Sequence, residues 1–362
     1  MWPDTRLIDL LGLELPIVQA PMAGASSVDM AVAVAKAGGL GSLPCAMLTP
    51  DKIALDMAEI RSRTNRPVNL NFFCHQAPGH DATREQAWLE RLAPDYAELG
   101  AEPPALPLRP GLTPFGEETC RLVEALTPKV VSFHFGLPAP DLFQRIKAAG
   151  CKVLASATSV REAVWLHEQG VDAIIAQGAE AGGHRGMFIE TDVTAQLGTF
   201  ALVPQIVDAV PIPVIAAGAI ADGRGVAAAF ALGASAAQIG TAYLRCPEAS
   251  ISELYRAALR EPETPTVITN VFTGRPARAL RNRMVEEQGP IDTEAPDFPL
   301  ATQAAMPLRA RAEAKGSGDF TSLWSGQARA LARDMGAEEL TRTIAEDGLA
   351  RLQGLARQSE KS

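Results

Sequence analysis

The stretch Gln177-Gly178-Ala179-Glu180-Ala181-Gly182-Gly183-His184-Arg185-Gly186 combines three chemical capacities. Gln177 can both donate and accept hydrogen bonds. The glycines let backbone N–H groups approach a ligand closely. His184 can take or return a proton near neutral pH. Such a loop suits an anionic or cofactor ligand with a proton acceptor beside it. It directly follows Val171-Asp172-Ala173-Ile174-Ile175-Ala176, a run that reads as a buried strand.

Similar residues follow other apolar runs. Gln19-Ala20-Pro21-Met22-Ala23-Gly24, Asn69 with Asn71, Ser132-Phe133-His134, Gly218-Ala219 and Gln238-Ile239-Gly240-Thr241 supply amides, hydroxyls, glycines and a second histidine. Lysine is absent from these places, since Lys129 and Lys152 fall at the beginnings of their runs; that argues against Schiff-base chemistry. No carboxylate cluster occurs there, and Glu180 and Asp222 stand alone, which argues against a metal site. His167-Glu168 lacks the second histidine of a zincin, and no G-x-S-x-G elbow is present. A polar, nearly uncharged site suits a cofactor that carries its own reactivity.

Eight short apolar runs must position these residues: Ile17–Pro21, Gly39–Ser42, Val68–Asn71, Val130–His134, Lys152–Ser156, Asp172–Gln177, Pro213–Ala217 and Ala237–Thr241. They are apolar throughout rather than alternating, as parallel strands covered on both faces are. Helical patterns at 27–37, 50–63, 116–127, 140–149, 159–168, 199–209, 222–232 and 248–259 separate them. Thr49-Pro50-Asp51, Ala139-Pro140-Asp141 and Thr158-Ser159-Val160-Arg161-Glu162 mark helix starts. Gly38, Gly150, Gly170 and Gly233 mark helix ends. Eight such units in one run predict an α/β fold, a closed (β/α)₈ TIM barrel, in preference to an open doubly wound sheet. Residues 74–115 read as an elaborated loop over one face. The proline-rich stretch after residue 260 reads as a small added helical or α+β subdomain near the C-terminus. We expect a barrel over 1–245, completed by helices within 321–362, with a lid at 246–320.

Active sites of this fold lie at the carboxyl ends of the strands, and the last two strands commonly hold a phosphate there. Gly218 and Gly240-Thr241 occupy those places, ahead of helix N-termini that favour negative charge. Asn71 and Gln177 could meet the edge of an isoalloxazine ring, and Ala20-Pro21-Met22 could lie flat against it. Simpler roles stand beside these. Gly218 and Gly240 equally serve tight turns, and Asn71 a loop cap. Met22 reads first as core, and His134 as a satisfied pocket wall before a base. Arg275, Arg278, Arg281 and Arg283 read as a solvated or interface face. Gly223-Arg224-Gly225-Val226-Ala227-Ala228 fits a dinucleotide fingerprint but follows the wrong strand and lacks the acid that holds a ribose.

The chain has 362 residues, 47% hydrophobic, 21% charged, with a formal charge of −9. Such a surface repels nucleic acid and anionic membrane and favours small-molecule work. Five cysteines at 45, 74, 120, 151 and 246 form no zinc spacing and fit reduced thiols in a cytoplasmic setting. The start lacks a signal-peptide pattern, and the longest apolar stretches are too short to span a membrane.

Together the motifs resemble the nitronate monooxygenase family, FMN-dependent barrel enzymes, in its class I form. The resemblance runs from Leu11 to Gln327. It rests on Gln19–Gly24, Asn69-Leu70-Asn71-Phe72-Phe73, Ser132-Phe133-His134-Phe135-Gly136, Gln177–His184, Ala216–Gly223, Gln238–Ala242 and Ser322-Leu323-Trp324-Ser325-Gly326-Gln327. It implies FMN held by Ala20, Pro21, Met22, Asn71, Gln177, Gly182, Gly183, Gly218, Ala219, Gln238, Ile239, Gly240 and Thr241, with Ser325, Gly326 and Gln327 returning near the ring. It implies that His184 assists proton abstraction from nitroalkanes and binds the nitronate. His134, Met22 and Tyr255 are then expected in the substrate pocket. Such pockets are often tyrosine-rich, whereas this chain has only Tyr96, Tyr243 and Tyr255. The implied reaction converts alkyl nitronates such as propionate 3-nitronate, with O₂, into a carbonyl compound and nitrite. No metal is expected, and the chain is expected as a monomer or homodimer. The alternative is an FMN-dependent NAD(P)H:quinone or enoyl-thioester reductase of the same barrel superfamily.

Overall fold

A computed structural model describes residues 1–359; the last three residues of the expected 321–362 helical closure lie outside the described residues. The strands are β1 (Ile17–Gln19), β2 (Gly41–Pro44), β3 (Val68–Phe73), β4 (Val130–His134), β5 (Lys152–Ala157), β6 (Ala173–Gln177), β7 (Gly183–His184), β8 (Val214–Ala217), β9 (Ala236–Ile239), β10 (Thr266–Thr269) and β11 (Ala277–Leu280). Eight of them form one parallel sheet in the order β1-β9-β8-β6-β5-β4-β3-β2. A parallel bridge between Val18 and Leu40 closes it, with Leu40 N donating to Ile17 O and Gln19 N to Leu40 O, both at 2.9 Å. The chain is therefore a (β/α)₈ barrel, as its unbroken strand–helix alternation predicts.

Local chemistry sets the helix limits. Ser27, Thr49 and Ser159 each accept from a backbone N–H of their helix's first turn, at Met30, Lys52 and Glu162. Asp222 caps Gly223–Ala231 by accepting from Arg224 and Gly225. Gly38, Gly150, Gly170 and Gly233 take positive φ and end their helices. The main core lies between the sheet and the surrounding helices. A second apolar layer fills the lower barrel, where Leu7 and Leu11 of helix Arg6–Leu11 pack with Val18, Leu40, Leu154 and Ile215.

Two expectations are corrected. Residues 74–115 are not simply a loop: Ala82–Arg91 and Ala93–Leu99 are helices, the first capped by Asp81. Their Trp88 and Tyr96 join Phe272, Met284, Leu308 and Phe320 in a separate core. The helix expected at 248–259 starts later, at Glu253–Arg260, where Ser252 caps it by accepting from Tyr255 N, and a separate short helix, Thr241–Leu244, precedes it. Strand β10 pairs with β11, and β11 pairs antiparallel with β7, matching Ala277 to His184 and Arg278 to Gly183. The layer over the mouth thus takes a strand from the glycine loop itself. Among the described residues no helix is long and apolar enough to cross a membrane.

Candidate active site

Strand register gathers the polar residues at one end of the barrel. Gln177, Ala217 and Gln238 align across β6, β8 and β9, and Gln19 faces Ile239 across β1 and β9. Asn71 faces Ser132, and Phe73 faces His134. Asn69 Nδ2 donates to Ser42 Oγ at 3.1 Å and Ser132 Oγ at 2.9 Å, and Asn71 Nδ2 donates to Ser132 Oγ at 2.9 Å. This buried network fixes side chains that would otherwise sample several rotamers.

The glycine loop after β6 is held from inside. Gln177 uses both ends of its amide on the loop: Nε2 donates to His184 O at 3.0 Å, and Oε1 accepts from Gly186 N at 2.7 Å. Arg185 is fully buried and donates to Gly178 O at 2.7 Å, Gln177 O at 2.6 Å and Gln196 Oε1 at 2.9 Å. Glu180 is far from isolated, accepting from Thr199 N and Oγ1 at 2.8 Å at the start of helix Thr199–Ala209, where the helix dipole favours a carboxylate. Glu162, also fully buried, accepts from Thr158 Oγ1 at 2.8 Å, Phe188 N at 2.6 Å and Ile189 N at 3.0 Å. These carboxylates and Arg185 stiffen the loop from below. For Glu180 and Glu162 that role shows in partners well removed in sequence, Thr199 and Phe188.

His184 then stands in an aromatic wall. Its ring lies 5.1 Å from that of Trp324, 5.3 Å from Phe298 and 6.0 Å from Phe135. His184 Nε2 is 3.0 Å from Thr273 Oγ1, and that hydroxyl donates to Arg275 O at 3.3 Å. Thr273 Oγ1 can accept from His184 Nε2–H while donating to Arg275 O, an arrangement that leaves the lone pair on His184 Nδ1. His134 Nε2 faces His184 O at 3.2 Å and so donates, leaving Nδ1 to accept from Ser156 Oγ at 3.0 Å. Burial lowers the pKa of both His184 and His134 to about 3, helped at His184 by His134 and Arg275, and at His134 by Arg275. His75 falls to about 4, again through burial first and Arg275 second. All three imidazoles are neutral near neutral pH.

Tyr255 donates to Trp324 O at 2.5 Å and packs with Met22, Ala25 and Leu259. Phe135, Phe298, Thr273 and Arg275 were not among the site residues expected from sequence. The arginine cluster is corrected too. Arg278 is buried and donates to Ala179 O at 2.8 Å, and Arg275 lies over the Phe135 ring, its Cζ 4.0 Å from the centroid. Only Arg281 and Arg283 form the expected charged face, paired with Glu286 and with Glu98 and Glu287.

The last strands and the C-terminal return build a cradle. Gly326 N donates to Thr241 Oγ1 at 2.9 Å, and Gln327 N donates to Glu180 O at 3.0 Å. A Cβ on Gly182 would lie 2.5 Å from Gly326 N, so only glycine lets the loop and the return segment touch. Gly218 (φ 126°) and the non-glycine Ala219 (φ 55°) form a left-handed turn after β8. Gln238 Oε1 is buried without a partner. An acceptor left so exposed to desolvation fits a ligand hydroxyl or ring N–H, both of which FMN carries.

A sequence model of nitronate monooxygenase matches residues 4–347. A nitronate monooxygenase from Pseudomonas aeruginosa is 44% identical over 94% of this chain and 98% of its own. One from Paraburkholderia phytofirmans is 46% identical over 92% of each chain. The crystal structure of a nitroalkane oxidase from Streptomyces ansochromogenes superposes with a TM-score of 0.88 at 36% identity, covering 97% of this chain and 99% of that one. FabK from Thermotoga maritima follows at 0.73 and 29%, over 98% of each. With its barrel, glycine loop and aromatic-walled histidine, the chain belongs to the nitronate monooxygenase family of oxidoreductases.

Proposed function

We propose that the site carries out FMN-dependent oxidative denitrification of alkyl nitronates with O₂, releasing a carbonyl compound and nitrite. Nitroalkanes serve as precursors that the site deprotonates. The observation that carries this reading is the buried His184 imidazole, with Nε2 3.0 Å from Thr273 Oγ1 and its ring faced by Trp324, Phe298 and Phe135. A neutral imidazole in an apolar wall can take the weakly acidic α-proton of a nitroalkane and then hydrogen-bond the anion it creates. The nascent imidazolium beside the nitronate is favoured by the charge that burial otherwise opposes. The aromatic rings exclude water from that ion pair.

Gln238, Gly218-Ala219, Gly240-Thr241, Gly182-Gly183 and Ser325-Gly326-Gln327 are the residues we assign to FMN, with Asn71, Gln177 and the Ala20–Met22 backbone at its ring. FMN, when bound, supplies the electron acceptor that no side chain here provides. The test is anaerobic mixing of the purified yellow protein with propionate 3-nitronate, then separately with NADH and NADPH, followed at the flavin absorbance. Bleaching by nitronate, with nitrite appearing once air is admitted, supports the reading. The likeness to FabK favours one second reading, a reductase. Rapid bleaching by NAD(P)H with no response to nitronate would establish that instead.

A further inference from the structure

The turn Thr273-Gly274-Arg275-Pro276 presents a cation that the proposed chemistry does not use. Gly274 (φ 86°) permits the turn, since a Cβ there would lie 2.0 Å from Pro296 O. Arg275 Nη2 donates to Met187 O, yet its Nε is buried without a partner and, among the described residues, it makes no ion pair. The acid that acts on it electrostatically, Glu162, is already engaged by Thr158, Phe188 and Ile189. Burial lowers Arg275 to about 10, which leaves it charged near neutral pH. Beside it His75 is 4% exposed, and neither ring nitrogen makes a hydrogen bond of normal geometry. Its ring stands edge-on to Phe298 at 5.0 Å and to Phe135 at 6.5 Å.

Phe135 is the common wall: Arg275 Cζ is 4.0 Å from its centroid and His184 is 6.0 Å away. The ring is presented by a residue at φ 69°, a conformation that side-chain-bearing residues rarely adopt. A desolvated guanidinium without a counter-ion, beside an imidazole that meets no partner at normal hydrogen-bond geometry and only the Leu112 backbone weakly, is an incomplete set of hydrogen bonds. Its missing member is an acceptor carrying negative charge. The flat guanidinium fork matches two oxygens on one atom.

We propose that Arg275 and His75 form a binding subsite for a planar two-oxygen anion, on the Phe135 wall beside His184. The proposal rests on the denitrification reading only for where the anion comes from. It is either the nitronate group itself or a carboxylate at the far end of the same substrate.

The test uses the flavin-loaded enzyme with Arg275→Met, Arg275→Lys and His75→Gln. Flavin content and thermal midpoint are recorded for each, so that a misfolded variant is recognised; Arg275→Lys and His75→Gln carry the test if Arg275→Met does not fold. Propionate and its neutral counterpart propionamide are titrated without turnover. Propionate is expected to bind the wild type and to weaken about ten- to a hundredfold in Arg275→Met, with partial recovery in Arg275→Lys. KM is then compared for ethylnitronate, propionate 3-nitronate and neutral nitroethane. A rise confined to propionate 3-nitronate assigns the carboxylate, and an equal rise for both nitronates assigns the nitronate group. Unchanged propionate binding in folded Arg275→Met and His75→Gln, or equal weakening for propionamide, overturns the subsite. Should the wild type turn over no nitronate yet bind propionate through Arg275, the denitrification reading fails and the subsite stands.

Discussion

At the lower end of the barrel, Leu7 and Leu11 pack beneath Val18, Leu40, Leu154 and Ile215. At the mouth, Gln19, Asn69, Asn71, Ser132 and Gln177 occupy the same kind of strand position, buried but polar. The lower layer is complete in itself, since apolar contacts need no partner of defined direction. The upper layer is left unfinished: among the described residues, Gln238 Oε1, Arg275 Nε and both nitrogens of His75 find no partner at normal hydrogen-bond geometry. Apolar packing that needs no ligand lies at one end, and buried polar groups that a ligand can complete lie at the other.

The sharpest way to break this contrast is at His184. His184→Asn is expected to lower kcat/KM for neutral nitroethane by about 10²–10⁴-fold, the span of a lost general base. Preformed ethylnitronate should lose much less, because its proton is already gone. Both rates are measured by nitrite release, and equal losses would mean that the residue is not a base. The opposite end should behave oppositely. Leu11→Ala removes a fully buried side chain from the lower layer and is expected to cost about 2–5 kcal/mol in urea unfolding. Turnover by the folded fraction should stay within about threefold, since distant sites act independently. A large change in KM there would dissolve the distinction between the two ends.

Acid should find the mouth before it finds the base. His184, His134 and His75 titrate at about 3, 3 and 4 in the folded chain, and near 6.5 once unfolded. Below about pH 6.5 the unfolded chain therefore binds protons that the folded chain refuses, and stability falls as pH falls toward those lower values. The thermal midpoint is expected to drop between about pH 6.5 and 4, with proton uptake by these three groups on unfolding nearing three at about pH 5 and declining toward pH 4, where His75 titrates in the folded chain. His184→Asn should remove one of those protons. A midpoint that is flat until the carboxylate range is reached would show that the histidines are solvated and not enclosed.

Much of this contrast is legible from sequence because it follows period and punctuation. Val130–His134 and Lys152–Ala157 are apolar throughout and sit between layers of helix. Thr49, Ser159 and Asp222 act through neighbours a few residues away. What escapes is whatever depends on distant partners. Helices Ala82–Arg91 and Ala93–Leu99 bury Trp88 and Tyr96 against residues more than 170 positions later, so their surroundings look polar along the chain. Of the four arginines, Arg278 is buried, Arg275 and Arg283 are half-buried and Arg281 is exposed. Their shared charge suggests one solvated face, yet Arg278 bonds carbonyl oxygens and Arg275 lies on a ring. No acidic residue nearby in sequence announces either.

The smallest expected effect separates positioning from chemistry within the mouth. Thr273 Oγ1 lies 3.0 Å from His184 Nε2 and 3.3 Å from Arg275 O, so it can accept from the first while donating to the second. Thr273→Val keeps the shape and removes the acceptor. The imidazole then loses the bond that holds its proton on Nε2, and part of the population carries it on Nδ1, where it blocks proton abstraction. One neutral hydrogen bond is worth about 1 kcal/mol net, so kcat for nitroethane should fall about fivefold. Thr273→Ser should restore it. Ethylnitronate turnover and KM should hardly move, because no proton has to be taken from that substrate. The ¹⁵N chemical shifts of His184 report the tautomer directly. Nitroethane turnover that falls in Thr273→Val while the shifts stay those of an Nε2–H ring would place the role of Thr273 in packing, not in directing the lone pair.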